Sequence, residues 1–204
     1  MRTGIYGGTF SPPHIGHIGA ARAFAEQMQL DELLIIPAAI PPHKSVDYPD
    51  DPQKRLEMAR IAFSDINNAK ISDMEIARGG KSYTVYTLRE LKREGRELFL
   101  LCGTDMIVTL DAWFMPEEIF ELCTPVGIRR ENDAEQAALI ERKLSEYRER
   151  FGKEIPFIDA QTIEISSSEL RERIEKGLPT DEYLTAEIRE YIEKNRLYLK
   201  GART

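Results

Sequence analysis

Ile5-Tyr6-Gly7-Gly8-Thr9-Phe10-Ser11-Pro12-Pro13-His14-Ile15-Gly16-His17 joins an N-terminal apolar run to an amphipathic helix, and it holds two of the chain's three histidines. Backward from it, residues 2–7 read as a strand. Forward from it, residues 16–29 read as a helix, because Ile18, Ala21, Ala25 and Met28 recur at helical spacing. Then comes Glu32-Leu33-Leu34-Ile35-Ile36-Pro37, a short apolar run of the kind buried on both faces of a parallel sheet. Strand, helix and strand make a βαβ unit. A glycine pair at the end of the first strand lets the backbone approach a ligand closely, and the helix opening near Gly16 offers unpaired N–H groups to an anion. His14 and His17 flank that glycine on the sequence His-Ile-Gly-His, so both imidazoles can face one site. The layout points to nucleotide-phosphate chemistry.

Beyond this unit the alternation continues. A loop with Pro41-Pro42-His43-Lys44 precedes a helix over residues 52–64, with Pro52 suited to its first turn. Residues 71–76 are expected as a strand and residues 82–93 as a helix, with Val85, Leu88 and Leu91 on one stripe and Gly95 as its stop. Leu98-Phe99-Leu100-Leu101-Cys102-Gly103 reads as a buried strand. Short helices are expected over 105–110 and 116–122, and a strand through 125–128. Residues 133–151 carry Ile140, Leu144, Tyr147 and Phe151 on one helical face and charge elsewhere, with Asp133 and Gln136 at capping-box spacing. Residues 155–159 and 162–165 read as short strands, followed by helices from about Ser167 and Thr185. The expectation is an α/β, Rossmann-like doubly wound, mainly parallel sheet flanked by helices, with ligands at the carboxyl ends of its strands. Residues 1–204 are read as one domain with a small helical C-terminal part from about 155.

Composition narrows the chemistry. A chain of 204 residues can bury a sizeable core, and its formal net charge of −7 disfavours a nucleic-acid partner, which would need clustered Lys and Arg. Small phosphorylated ligands remain open, because a few local cations suffice for them. Cys102 and Cys123 show neither metal spacing nor a disulfide framework, so they are expected as buried, reduced thiols. Met1-Arg2-Thr3 leads straight into the first strand without a signal-peptide pattern, and no segment reaches the roughly 20 apolar residues of a membrane span. A cytoplasmic protein without membrane association is expected, and a homo-oligomer is compatible with the sequence.

Several constellations carry the functional reading, each beside a plainer one. The first strand lacks the GxGxxG dinucleotide fingerprint, and there is no GxxxxGK[ST] loop, so phosphates must be held in another way. Ile165-Ser166-Ser167-Ser168-Glu169-Leu170-Arg171 lies at an expected strand-to-helix junction. Ser166 and Glu169 there make a capping box, which would simply start a helix. The same serines with Arg171 also make a phosphate cradle, provided that Glu169 folds back onto the cap. Lys44, on its proline-stiffened loop, presents a point charge or belongs to a surface turn. Gly103-Thr104-Asp105 follows a buried strand, where Asp105 can cap a helix or accept from ribose hydroxyls. Trp113 with Phe114 can stack on a planar ring or bury apolar area.

Taken together, GGTFSPPHIGH, PPHK, Ser82-Tyr83-Thr84, GTD ahead of Trp113, and ISSSELR resemble the nicotinate-nucleotide adenylyltransferase family, within the nucleotidyltransferases marked by [H/T]xGH and ISS[TS]xxR. The motifs run in order across nearly the whole chain. The resemblance implies transfer of AMP from ATP to nicotinate mononucleotide, giving deamido-NAD and pyrophosphate, with Mg²⁺ assisting. It implies that Thr84, Trp113 and Phe114 receive the nicotinate. Phosphoryl-type transfer needs alignment and charge stabilisation more than a protein nucleophile. On that basis His14 and His17 are expected to donate to the α- and β-phosphates, with Gly7, Gly8, Thr9, Phe10, Gly103 and Asp105 holding ATP. Ser166, Ser167, Ser168 and Arg171 would hold the β- and γ-phosphates, and Lys44 would assist the attacking phosphate.

This chain departs from the family pattern at three places. Ser11 stands where the family usually has Asp, Phe114 where many members have Tyr, and Ala38-Ala39 where many carry an amide or glycine. The first touches metal positioning and rate, the others nicotinate recognition. Rival readings are adenylyl transfer to nicotinamide mononucleotide or to phosphopantetheine, and a nucleotide-binding regulatory relative without turnover.

Overall fold

β1 (Arg2–Gly8) and β2 (Glu32–Pro37) pair in parallel with Gly4 opposite Leu33 and Gly8 opposite Pro37, and α1 (Ile15–Gln27) makes the crossover. The computed structural model of the protein describes residues 1–42, 51–92, 95–129, 137–160 and 165–199. α2 (Pro52–Ala62) starts on Pro52 and is capped by Asp51, whose carboxylate accepts from Gln53 N. β3 (Ala69–Ile71), α3 (Met74–Arg78), α4 (Thr84–Lys92) and β4 (Glu97–Gly103) follow, then α5 (Thr104–Thr109) and a 3₁₀ turn at Leu110–Ala112. α6 (Pro116–Leu122), β5 (Cys123–Arg129), α7 (Ala137–Phe151), β6 (Phe157–Asp159), α8 (Ser167–Glu175) and α9 (Ala186–Lys194) complete the chain. The strands form one six-stranded sheet in the order β3-β2-β1-β4-β5-β6, parallel throughout. This is the Rossmann-like α/β fold that the alternation predicts.

Side-chain alternation along the strands sorts the apolar residues into two cores. Leu33 and Ile35 of β2, with Phe99 and Leu101 of β4, face one side, where α1, α2, α8 and α9 pack through Phe24, Met58, Leu170 and Ile188. Leu34 and Ile36, with Leu98, Leu100 and Cys102, face the other, against α4, α5, α6 and α7 through Leu88, Ile107, Phe120 and Tyr147. Both cysteines are free and buried, and burial pushes both thiols up, that of Cys123 to about 12. No helix of the described residues is long and apolar enough to cross a membrane.

Some elements differ from the sequence reading. The strand expected over 71–76 is shorter and earlier, at Ala69–Ile71, and Met74–Arg78 is helical. The strand reading fails there because Glu75, not an apolar neighbour, is the buried residue, accepting from Thr87 Oγ1 at 2.6 Å. β6 belongs to the main sheet through its pairing with β5, so the helical C-terminal part begins after residue 159. That part is no appendage: Leu170, Leu184, Ile188, Ile192, Leu197 and Tyr198 complete the first core. The strand expected over 162–165 and the cap expected at Asp133 fall largely on residues outside those described.

Candidate active site

In the order β3-β2-β1-β4-β5-β6 the direction of winding reverses between β1 and β4, and in open α/β sheets the ligand crevice is expected outside the carboxyl ends of the strands at such a reversal. Gly7 and Gly8 end β1, and Gly103 ends β4, with Thr104 and Asp105 opening α5 directly after it. A Cβ built at Gly7 would meet nothing within 4 Å, so the space before it is open. At Gly8 the same atom would lie 2.8 Å from the Phe10 ring, which folds back over the glycine. Phe10 has a φ of 52°, a left-handed conformation unusual for a bulky residue. Packing holds it there: the ring is buried and meets Tyr6, His17 and Phe63 edge-on at centroid distances of 5.4, 5.3 and 5.5 Å.

His14 is the N-cap residue of α1, and His17 occupies the third helical position. The backbone N–H of His14 donates to His17 Nδ1 at 3.2 Å, the contact a Glu or Gln makes in a capping box. An Nδ1 that accepts must be unprotonated, so in the neutral ring the proton sits on Nε2, and that atom is a donor. The imidazole centroids are 3.8 Å apart, and His14 is itself buried. The two histidines therefore form one unit at the mouth of the crevice.

The serine-rich segment meets the loop that precedes this unit. Ser166 caps α8 and Glu169 folds back onto it, with Oε2 accepting from Ser166 N at 2.8 Å and from Ser166 Oγ at 2.6 Å. Those hydrogen bonds hold the Glu169 carboxyl below its usual range. Ser167 Oγ donates to the Pro12 carbonyl at 3.0 Å. Arg171 donates through Nη1 to the Ser11 carbonyl at 2.8 Å and through Nη2 to Ser168 Oγ at 3.1 Å. The α8 N-terminus, three serines and a guanidinium are thus fastened to the loop that leads into His14.

Ser11 is only 4 % exposed, and its hydroxyl lies 3.1 Å from that of Tyr198, beyond α9. Its side chain turns into the core. Here a serine finds a hydroxyl partner of its own size, where a carboxylate would have to be buried.

Thr84 opens α4, which follows Tyr83 and carries Tyr86. The Phe114 ring packs on Tyr83 at 4.7 Å and Tyr86 at 5.9 Å, and it is largely exposed, whereas Trp113 is half-buried. The turn that carries Trp113 and Phe114 is anchored on its leading side. Lys143 donates to Asp111 at 2.8 Å, and Tyr147 Oη donates to the Ile107 carbonyl at 2.8 Å. Burial opposes ionisation of Asp111, but the hydrogen bonds from Lys143 and Tyr147 outweigh it and keep the carboxyl below its usual range. Past the turn, Met115 is left-handed at φ 57°, and Arg89 grips Glu118 with two hydrogen bonds of 2.6 Å. Asp105 is exposed in the first turn of α5. Lys44 lies outside the described residues.

Two residues that shape the site escaped the sequence reading. Arg55 of α2 is 2 % exposed and donates to the carbonyls of Thr9 at 3.1 Å and Ala39 at 3.0 Å. Its signal was available: it falls on the buried stripe of α2 with Leu56, Met58, Ala59 and Ala62, an arginine among apolar residues. Tyr198 had no such signal, because its partner is 187 residues away. Ser82, read only as part of a motif, accepts from Ala39 N at 2.9 Å and fixes the loop after β2.

A family model described as cytidylyltransferase-like matches residues 5–173 of this chain. A protein of Clostridium botulinum (strain Kyoto / Type A2), named a "probable nicotinate-nucleotide adenylyltransferase", is 36 % identical over 95 % of this chain and 97 % of its own length. The chain belongs to the nicotinate-nucleotide adenylyltransferase family. A Geobacter metallireducens member with the same name is 42 % identical, and the match there spans 64 % of this chain and 61 % of that relative's length. The fold of the family recurs in the Plasmodium falciparum nicotinic acid mononucleotide adenylyltransferase complexed with NaAD, at a TM-score of 0.76 and 20 % identity over 97 % of both chains.

Proposed function

We propose that this protein transfers AMP from ATP to nicotinate mononucleotide, forming nicotinate adenine dinucleotide (deamido-NAD) and pyrophosphate, as a cytoplasmic enzyme of NAD biosynthesis whose 204 residues act as one nucleotidyltransferase domain. One observation carries the reading: Arg171 and Ser167 bind the carbonyls of Ser11 and Pro12, which gathers an Nε2–H donor on His17, a helix N-terminus and a guanidinium at the end of β1. Such a set suits a polyphosphate. The family relatives are named for this reaction, which supports the choice of acceptor.

The 5′-phosphate of the mononucleotide attacks the α-phosphorus of ATP in line. A bond forms between its oxygen and that phosphorus, and the bond to the β-bridging oxygen breaks. Charge grows on the α- and β-phosphate oxygens as this happens, and His14 and His17 donate to them. Backbone groups of Gly7, Gly8, Thr9 and Phe10 hold the nucleotide on one side of the crevice, and Gly103 and Asp105 face it from the other. Ser166, Ser167, Ser168 and Arg171 bind the β- and γ-phosphates and the departing pyrophosphate, and Lys44 meets the attacking phosphate. Trp113, with Thr84 and Phe114 beside it, receives the nicotinate ring. Donors aimed at a carboxylate would be opposed by the N–H groups of a carboxamide.

Among the described residues no three or more His, Cys, Asp or Glu side chains are grouped so that they could hold a metal ion. The donor set at the phosphates is cationic and N–H bearing, which does not fit a resident divalent cation. Mg²⁺ would belong to the ATP substrate, where it would supply neutralisation of phosphate charge.

Pyrophosphate release with ATP and Mg²⁺ tests the assignment, comparing nicotinate mononucleotide, its amide and phosphopantetheine. Release with nicotinate mononucleotide, exceeding that with the other two, is expected. A preference for the amide overturns the substrate, and ATP binding without release on any acceptor overturns the enzyme. The open space before Gly7 gives a second test. Gly7→Ala should melt close to the parent yet raise KM for ATP about 10-fold, since its methyl group would stand where the nucleotide approaches. Gly8→Ala should instead cost about 1–3 kcal/mol of stability, because it drives into the Phe10 ring. An unchanged KM in Gly7→Ala would place the nucleotide elsewhere.

A further inference from the structure

We propose that Arg55 is a positioning residue for the transfer: its buried guanidinium fixes the loop after β1 against the loop after β2 and turns the Phe10 N–H toward the bound phosphates. This rests on the reading of the crevice as a nucleotide site. Arg55 is contributed by α2, outside the motifs that mark the site, and it is 2 % exposed. Nη1 donates to the Thr9 carbonyl at 3.1 Å and Nη2 to the Ala39 carbonyl at 3.0 Å, so one planar fork spans both loops. The remaining ties run the same way. Ala38 N donates to the Gly8 carbonyl at 2.9 Å, and Ala39 N donates to Ser82 Oγ at 2.9 Å.

The orientation of one peptide follows from the fork. In a planar trans peptide the carbonyl of one residue and the N–H of the next point in opposite directions. The Thr9 carbonyl points at Arg55, so the Phe10 N–H points away from α2. The left-handed Phe10 is the residue at which that peptide could flip, and a flip would put a carbonyl oxygen where the N–H stands. An oxygen there would repel a phosphate. Arg55 opposes the flip, because a reversed carbonyl leaves a buried guanidinium short of an acceptor.

The tie to Ala39 adds alignment. In-line attack needs the reacting atoms about 3–3.5 Å apart, and small errors in relative placement are expensive in rate. The loops that Arg55 joins carry the ATP-facing backbone on one side and lead to Pro41-Pro42 on the acceptor side. A lysine at 55 keeps the charge but, as a single-point donor, reaches one carbonyl rather than two.

The test pairs kinetics with a spectroscopic signature. In ¹⁵N-labelled wild-type protein, ATP added without acceptor should shift the Phe10 amide resonance. Arg55→Lys should lower kcat about 10-fold, with both KM values within about 3-fold, because alignment acts in the transition state more than in binding. Its Phe10 amide response to ATP should fall in step. Guanidinium ion at millimolar concentration should restore part of the turnover of Arg55→Gly, while ammonium should not. The proposal is overturned if the wild-type Phe10 amide ignores saturating ATP, or if Arg55→Lys folds and keeps full kcat. The amide measurement needs only ATP binding, so it reads the role of Arg55 even if no acceptor is turned over. Absent turnover would count against the proposed reaction alone.

Discussion

His17→Ala should turn over at least about 10²-fold more slowly than the parent, the effect of removing one preorganised donor at a centre of developing charge. Two consequences of the substitution must be separated. His17 is a helix-capping side chain, since Nδ1 accepts from His14 N at 3.2 Å, and it is an Nε2–H donor. Losing the cap alone costs about 1 kcal/mol, which lowers the melting temperature of a domain this size by about 2–4 °C. His17→Gln separates the roles. Glutamine is a normal capping-box residue, so it should restore the melting temperature while turnover stays low. Single-turnover rates and thermal melts on both variants decide the matter. Near-normal turnover in His17→Ala would remove the imidazole from the mechanism.

Arg171→Ala should lower kcat/KM for ATP by about 10³-fold, because it removes the guanidinium proposed to bind the β- and γ-phosphate oxygens and loosens α8 from the Ser11 carbonyl. Arg171→Lys is the instructive partner. It keeps the charge but cannot hold the Ser11 carbonyl and Ser168 Oγ together as the fork does at 2.8 and 3.1 Å. An intermediate loss is therefore expected, larger in kcat than in the binding of ATP. Titration of ATP against both variants, beside steady-state rates, gives the division. If Arg171→Ala stays within about 5-fold of the parent, the guanidinium is a tether for α8 and nothing more.

What could be read from the amino-acid order was what depends on near neighbours. The run at 32–37 is apolar at every position but the first, and it became a strand buried along its whole length. Glycines 7 and 8, the two histidines and the Ser166–Glu169 box are each local patterns, and each has a local geometric result. Residues 71–76 were misread because a polar side chain took the buried place: Glu75 is satisfied by Thr87 from another helix, a partner no periodicity announces. Tyr198 escaped for the same reason, since its partner is distant in sequence, whereas Arg55 stood on the buried stripe of α2 and only its acceptors could not be read. The Phe114 ring packs on Tyr83 and Tyr86, contacts that its place beside Trp113 in the sequence does not announce. Adjacency in sequence said nothing about which way that ring would turn.

The ties across Ser11 and Pro12 also bear on the birth of the protein. The loop holding both histidines leaves the ribosome ahead of its partners Ser167, Arg171 and Tyr198, which lie 155, 160 and 187 residues later in the chain. A nascent chain can pair β1 with β2 well before any of these exists. The proposed phosphate cradle is therefore assembled only after α8 has been made, and a chain stopped short of α8 carries the histidines without the Ser167 and Arg171 ties.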